Sequence, residues 1–299
     1  MSHNHNHLST SNNYNKAFLA GIILNVLYIL VEVSYGLLIN SMALLADAGH
    51  NLSDVLGLLL AWGAAYLAKT ASNEKRTYGL RKSTILAALF NAILLMIAVG
   101  AISIEAIRKF ISPEPVQGLT MMVVAGFGVL INALTAVFFM KGRDKDLNIK
   151  GAFLHMAADA GVSLGVVIAG FLIYSTGWLW VDPAISLLII LVITIGTWGL
   201  LKDSFYLSMD AVPKDIDFQE VENYLNGING VTEVHDLHIW AMSTTETALT
   251  AHLVIPDETK DDYFLKKICD DLHSKFGIEH STIQTEKSAQ SSNCKNNYV

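Results

Sequence analysis

The sequence predicts a membrane domain of six transmembrane helices followed by a C-terminal cytosolic α+β domain. Three observations carry this expectation. Hydrophobic residues make up 52% of the 299 positions and charged residues only 16%, a balance unlike that of soluble chains. The apolar residues gather into long runs, and the lysines and arginines cluster beside alternate ends of those runs. After Asp203 the long runs stop and short amphipathic patterns replace them.

The runs cover 17–40, 42–68, 83–107, 116–140, 149–175 and 179–201. Each is long enough to cross a hydrocarbon layer of ~30 Å as a helix. The first follows a polar tail without a small-residue cleavage site, so it reads as a span rather than a removed signal peptide. Lys16, Lys69, Lys75, Arg76, Arg81, Lys82, Lys141, Arg143, Lys145, Lys150 and Lys202 fall in the N-terminal tail, in the second and fourth connections, or just after the sixth span. The first and fifth connections carry none, and Arg108 and Lys109 stand only at the edge of the third. The positive-inside rule then puts both termini in the cytosol.

Beyond the spans, residues 216–228 have helical spacing, with Asp215 or Asp217 as a start and Gly227 and Gly230 as a stop. Segments 231–241 and 248–255 read as strands around a Ser-Thr-Thr turn. A second amphipathic helix at 261–276 ends at Gly277, and 281–285 reads as a last strand. The order α-β-β-α-β suggests helices on one face of a short sheet. The expected division is a His-containing tail at 1–15, a transport domain at 16–203, a cytosolic domain at 204–287 and a loose Ser/Asn-rich tail at 288–299. Cys269 and Cys294 are too few for a disulfide framework and suggest a reducing compartment. The net charge of −7 and the lack of a basic patch with interleaved aromatics give no reason to expect nucleic acid.

The second and fifth runs carry the chemistry. One holds His50 and Asp54, the other His155 and Asp159. Residues four apart share one helix face. Ionisable groups at membrane depth cost on the order of 3 kcal/mol each, so they normally face a cavity or a partner. Two helices meeting on these faces would offer two imidazole nitrogens and two carboxylate oxygens. That set suits tetrahedral Zn²⁺, and the two carboxylates neutralise its charge. Nitrogen ligands disfavour Mg²⁺ and Ca²⁺ but leave cadmium, cobalt, nickel and manganese open. The bland account, interhelical hydrogen bonds only, must explain two copies at one spacing. Asp47 lies on the His50 and Asp54 stripe and could serve the ion or the helix end. Glu32, Asn25, Asn91 and Asn132 could line the same interior or simply bond between helices. Gly161 and Gly165 form a small-xxx-small pattern that suggests close packing.

The stretches NSMALLADAGHNLSD (40–54), HMAAD (155–159) and VHDLHIW (234–240) resemble the cation diffusion facilitator family, most closely its bacterial zinc-efflux branch and the related animal zinc transporters. The resemblance runs from about Lys16 to Glu286. It implies a homodimeric metal/proton antiporter of the bacterial inner membrane with a metallochaperone-like cytosolic domain. Its transport-site positions fall on His50, Asp54, His155 and Asp159. It further implies regulatory zinc at His235, His252 and Glu286, a charge pair between Lys82 and Asp210, and an apolar barrier that includes Leu154. The histidines that some relatives carry after the second span are missing from 76–82, which implies no metal there. His3, His5 and His7 could collect metal weakly, or could be a plain tail. His238, His273 and His280 have weaker claims, and Cys294 weaker still.

Zinc efflux by proton exchange is thus the leading expectation, with zinc, protons and the lipid bilayer as partners. A membrane metalloenzyme is disfavoured, because the sequence has no His-Glu-xx-His motif and four protein ligands leave no open position for water. A metal sensor is the other alternative, in which the cytosolic domain supplies the output.

Overall fold

The computed structural model describes residues 8–140, 147–256 and 262–288. Six helices come first: α1 (Leu8–Leu38), α2 (Met42–Ala68), α3 (Ser83–Ile111), α4 (Gly118–Met140), α5 (Leu147–Thr176) and α6 (Val181–Ser208). Among the described residues, α2 to α6 are each long and apolar enough to cross a membrane, and the apolar stretch of α1, Ile23–Leu38, is shorter. At 1.5 Å per residue, the 31 residues of α1 still make a rod of about 46 Å. The expected boundaries hold within a few residues except at the start of α1, which begins at Leu8 rather than 17, and at the C-terminal ends of α3 and α6, which run on to Ile111 and Ser208.

The chain divides into two compact units. The first holds the residues up to Leu59 together with Asn91–Gly199, and its core packs Leu44, Met121, Val166, Ala169 and Ile193. Helix ends inside a membrane domain need partners for their free N–H groups. At the start of α2 these come from another helix. Asp182, in the first turn of α6, accepts from the backbone N–H of Met42 (2.7 Å) and of Ala43 (3.1 Å), and from the Ser41 hydroxyl (2.5 Å). Asn40 turns the chain into α2 with a positive φ of 62°, and Lys109 donates to its carbonyl (3.0 Å). Lys109 is therefore buried, not a solvated edge residue as its position in the sequence suggests. Its aliphatic stem packs while its ammonium finds carbonyl and amide oxygens.

Close helix packing falls elsewhere than expected. Among the described residues, a side chain added at Gly161 or Gly165 would meet nothing within 4 Å. The near approach lies at Gly118 and Gly170, where a Cβ would come within 2.5 Å and 2.8 Å of the backbone of the facing helix. Small residues there let α4 and α5 approach closely. Gly128 of α4 similarly leaves room for the Tyr28 hydroxyl of α1.

The second unit holds Leu60–Phe90 and the chain from Leu200 onward. Its C-terminal part runs α7 (Phe218–Asn226), β1 (Glu233–Ala241), β2 (Thr247–Val254), α8 (Asp262–Phe276) and β3 (Ile278–Glu286). The sheet order is β1-β2-β3, with β1 antiparallel and β3 parallel to β2. Asp217 caps α7 by accepting from the N–H of Gln219 (2.8 Å) and Glu220 (3.3 Å). Gly277 follows α8 with a φ of 66°, a conformation that glycine adopts without strain. Val221 and Leu225 of α7 and Ile268 and Leu272 of α8 share one core with Leu249, Ala251 and Leu253 of β2. These β2 residues alternate, so both helices cover one face of the sheet. β3 begins three residues earlier than the pattern suggests, because Ile278 is apolar and fully buried while Glu279 and His280 after it are polar and hide the strand's alternation.

Candidate metal centres

His50 and Asp54 project from α2, and His155 and Asp159 from α5, each pair one helical turn apart. The two faces meet. His50 Nε2 lies 3.9 Å from Asp54 on its own helix and 3.3 Å from Asp159 on the other. His155 Nε2 lies 3.7 Å from Asp159 and 3.4 Å from Asp54. The four groups thus alternate, imidazole and carboxylate, around a small space, with the rings edge to face at 6.3 Å between centroids. Metal–ligand bonds of ~2.0–2.1 Å in a tetrahedron imply ligand–ligand edges of about 3.3–3.4 Å. The two cross-helix separations, 3.3 and 3.4 Å, meet that, while the same-helix ones, 3.9 and 3.7 Å, are longer. Ligand atoms of His50, Asp54 and Asp159 all lie within 4.8 Å of one another, and His155 stands outside that group, beside the two carboxylates.

The electrostatics suit a cation. Asp159 is only 2% exposed, yet its Oδ1 has no hydrogen-bond partner, and neither has Asp54 Oδ2. Buried carboxylate oxygens are rarely left so. Both face the imidazoles at the distances above, so the lone pairs are free where an ion would sit. Asp47 is fully buried and accepts from the Ser163 hydroxyl (2.8 Å), outside the set of converging ligand atoms. Glu32 is buried beside it, accepting from the Tyr28 hydroxyl (2.8 Å) and from the Asn51 amide (3.3 Å). Asn132 and the Asn25 carbonyl oxygen are buried without hydrogen-bond partners among the described residues. The Asn91 amide lies against Gly57. Leu154 is exposed on α5, next to His155.

A second cluster forms in the sheet. His235 of β1 pairs directly with His252 of β2, and Glu286 ends β3 beside them. Glu286 Oε2 lies 3.2 Å from His235 Nε2 and its Oε1 lies 3.0 Å from His252 Nδ1, with the two rings 5.1 Å apart. Sequence reasoning missed Asp236. Strand alternation turns it away from His235, but a bulge between His235 and His238 gives it a φ of 53°. Its carboxylate then touches His238 (3.0 Å) and His252 (3.4 Å). A non-glycine residue at positive φ is not readable from sequence alone, although Asp tolerates it better than most.

Of the remaining histidines, His280 packs against the Tyr78 ring and His273 lies in the last turn of α8. Lys82 Nζ reaches Asp210 at 2.5 Å, and Arg81 reaches Glu246 at 2.8 Å. Residues 1–7, with their three histidines, and Cys294 lie outside the described residues.

Long apolar helices bearing a His/Asp cluster between two of them, followed by a small α+β domain with its own histidines, have the make-up of a membrane protein that handles metal cations. The family model for the cation efflux transmembrane domain matches residues 18–207, and that for the cation efflux protein cytoplasmic domain matches 213–288. The chain belongs to the cation efflux family, a family of integral membrane transporters and not of enzymes. It is 36% identical over 294 residues to a Bacillus velezensis protein named cadmium, cobalt and zinc/H(+)-K(+) antiporter, covering 97% of this chain and 93% of that one. It is 38% identical to the metal cation efflux system protein CzcD of Cupriavidus metallidurans (95% and 89% covered), and 36% identical to the zinc transporter ZitB of Escherichia coli (96% and 93% covered).

Proposed function

We propose that this protein moves zinc out of the cytosol in exchange for protons, through a site made by His50, Asp54, His155 and Asp159. The observation that carries the proposal is that two His/Asp pairs on different helices face each other, each imidazole within 3.3–3.4 Å of the carboxylate on the other helix. The relatives named for zinc, cadmium and cobalt efflux support the same substrate class. Two imidazoles and two carboxylates bind a dication as a neutral unit, which lowers the cost of holding it at membrane depth. Bound imidazole must be unprotonated, so protons and metal compete for the same nitrogens. A proton arriving from the outer side displaces the ion there, and a cytosolic ion displaces the proton on return.

The other assignments belong to the same proposal. The chain works as a homodimer in a bacterial inner membrane, both termini cytosolic. Residues 16–203 carry the ion and 204–287 sense it, with His235, His252 and Glu286 as regulatory zinc ligands. Asp47 orders the site through Ser163, Leu154 forms part of the barrier on the ion path, and the Lys82–Asp210 pair ties the start of α3 to the cytosolic domain. The cytosolic cluster is also what a metal sensor would need. Zinc uptake into sealed proteoliposomes separates the two: time-dependent accumulation driven by an imposed pH difference supports transport. Stoichiometric binding without accumulation in well-sealed vesicles would leave only the sensor.

A further inference from the structure

The connection between α2 and α3 carries cations that the transport proposal does not use. Residues 69–82 include Lys69, Lys75, Arg76, Arg81 and Lys82 against a single acid, Glu74. The segment is built, not loose. The Asn73 side chain accepts from the N–H of Lys75 and of Arg76 (both 3.0 Å), Asn73 and Arg76 pair through their backbones, and Gly79 turns at a φ of 69° with its Cα packed on the Thr70 carbonyl. Together with Trp240 of β1 and Met242 just after it, this segment lines an open pocket of about 430 Å³. Four of the lining residues are Lys75, Arg76, Arg81 and Lys82, and none is acidic.

Those four cations divide into two kinds. Arg81 and Lys82 are held by Glu246 and Asp210, so their charge is already matched. Lys75 and Arg76 are exposed and have no acidic partner among the described residues. The positive-inside rule explains why cations gather on this connection, but not why a cavity should be walled by them without an acid. An indole, a phenol from Tyr78 and a methionine complete the wall, giving apolar surface beside the charge. Because the segment joins the cytosolic ends of two spans, the cavity stands next to the inner leaflet.

We propose that this cavity binds a phosphate group, supplied by the headgroup of an anionic phospholipid of the inner leaflet or by free phosphate. The guanidinium of Arg76 offers paired donors that match phosphate oxygens, and Lys75 adds a point charge. Basic pockets at the cytosolic ends of transmembrane helices commonly take anionic headgroups, at about 1 kcal/mol per cation near the surface. The site would couple the bound phosphate to the same loop whose later residues, Arg81 and Lys82, pair with Glu246 and Asp210.

The test uses the full chain in nanodiscs, with three versions: wild type, Lys75→Gln/Arg76→Gln, and the control Lys69→Gln/Lys202→Gln, which removes the same charge on the same membrane side. Phosphatidylglycerol retained per chain is read by native mass spectrometry after exchange from mixed lipid. In pure phosphatidylcholine discs, the shift in melting temperature with added inorganic phosphate is read for each version. Loss of both cations should weaken phosphatidylglycerol binding about 30-fold, two charges at about 1 kcal/mol each, with the control retaining it. That result assigns the site to lipid. A phosphate-induced shift lost only in the Lys75/Arg76 variant assigns it to free phosphate. Equal losses in both variants, or none in either, would overturn the proposal, since the effect would then be general surface charge or absent.

Discussion

Replacing Asp159 with Asn is the sharpest perturbation of the transport site. The two side chains have nearly the same size, so packing around this 2%-exposed residue should persist. What changes is charge and ligand strength. In the wild type, Zn²⁺ with Asp54 and Asp159 is formally neutral; in Asp159→Asn the loaded site carries one net positive charge. A single charge at membrane depth costs about 3 kcal/mol, which at 1.4 kcal/mol per factor of ten lowers occupancy roughly 100-fold at subsaturating zinc. Asp47 and Glu32 are buried close by, but their hydrogen bonds to Ser163, Tyr28 and Asn51 engage them outside the ligand set. The assay is initial zinc uptake into proteoliposomes over a range of zinc concentrations, with dimer content and melting temperature as controls for folding. A correctly folded variant whose uptake stays within a few-fold of wild type would refute the reasoning.

Raising the pH on the loading side should strengthen apparent zinc affinity, because protons and metal compete for the imidazole nitrogens; a zinc titration over a series of pH values checks it, and a flat profile counts against His50 and His155 as ligands. Glu286→Gln should remove one zinc per chain from the cytosolic domain while transport at saturating zinc persists; isothermal titration read beside flux separates the two effects, and unchanged stoichiometry would remove Glu286 from the site. The hydrogen bond from the Tyr224 hydroxyl (2.7 Å) is the main influence holding the Asp271 carboxyl below the usual range, opposed by some burial and aided by Lys275 and Lys267. A depressed carboxyl contributes stability above its unfolded value and loses it as pH falls through the folded one. Tyr224→Phe should therefore be less stable than wild type at neutral pH, with the gap narrowing as pH falls through the range of the Asp271 carboxyl in a melting series; a gap that does not change with pH would contradict this.

The elements were readable where one residue pattern repeats along the chain. Apolar runs of about 20 residues give spans, and His50/Asp54 and His155/Asp159 stand out because charge inside such runs is costly. What could not be read depends on residues far apart in sequence. Asp182 caps α2 across 140 positions, and nothing near it in the chain marks it as anything but a helix start. The glycines that matter for packing are Gly118 and Gly170, which share no local motif, whereas at the visible Gly161 and Gly165 spacing an added side chain would meet none of the described residues within 4 Å. Asp236 enters the cytosolic cluster through a bulge, which reverses the facing that strand alternation assigns it. Local periodicity finds elements and their faces; it does not say which faces meet.

Zinc-edge anomalous diffraction from crystals of the zinc-loaded protein tests the central claim most directly. The account predicts a peak inside the membrane domain bonded at ~2.0–2.1 Å to nitrogens of His50 and His155 and oxygens of Asp54 and Asp159. Zinc present only among His235, His252 and Glu286, with no peak between α2 and α5 at saturating metal, would contradict it.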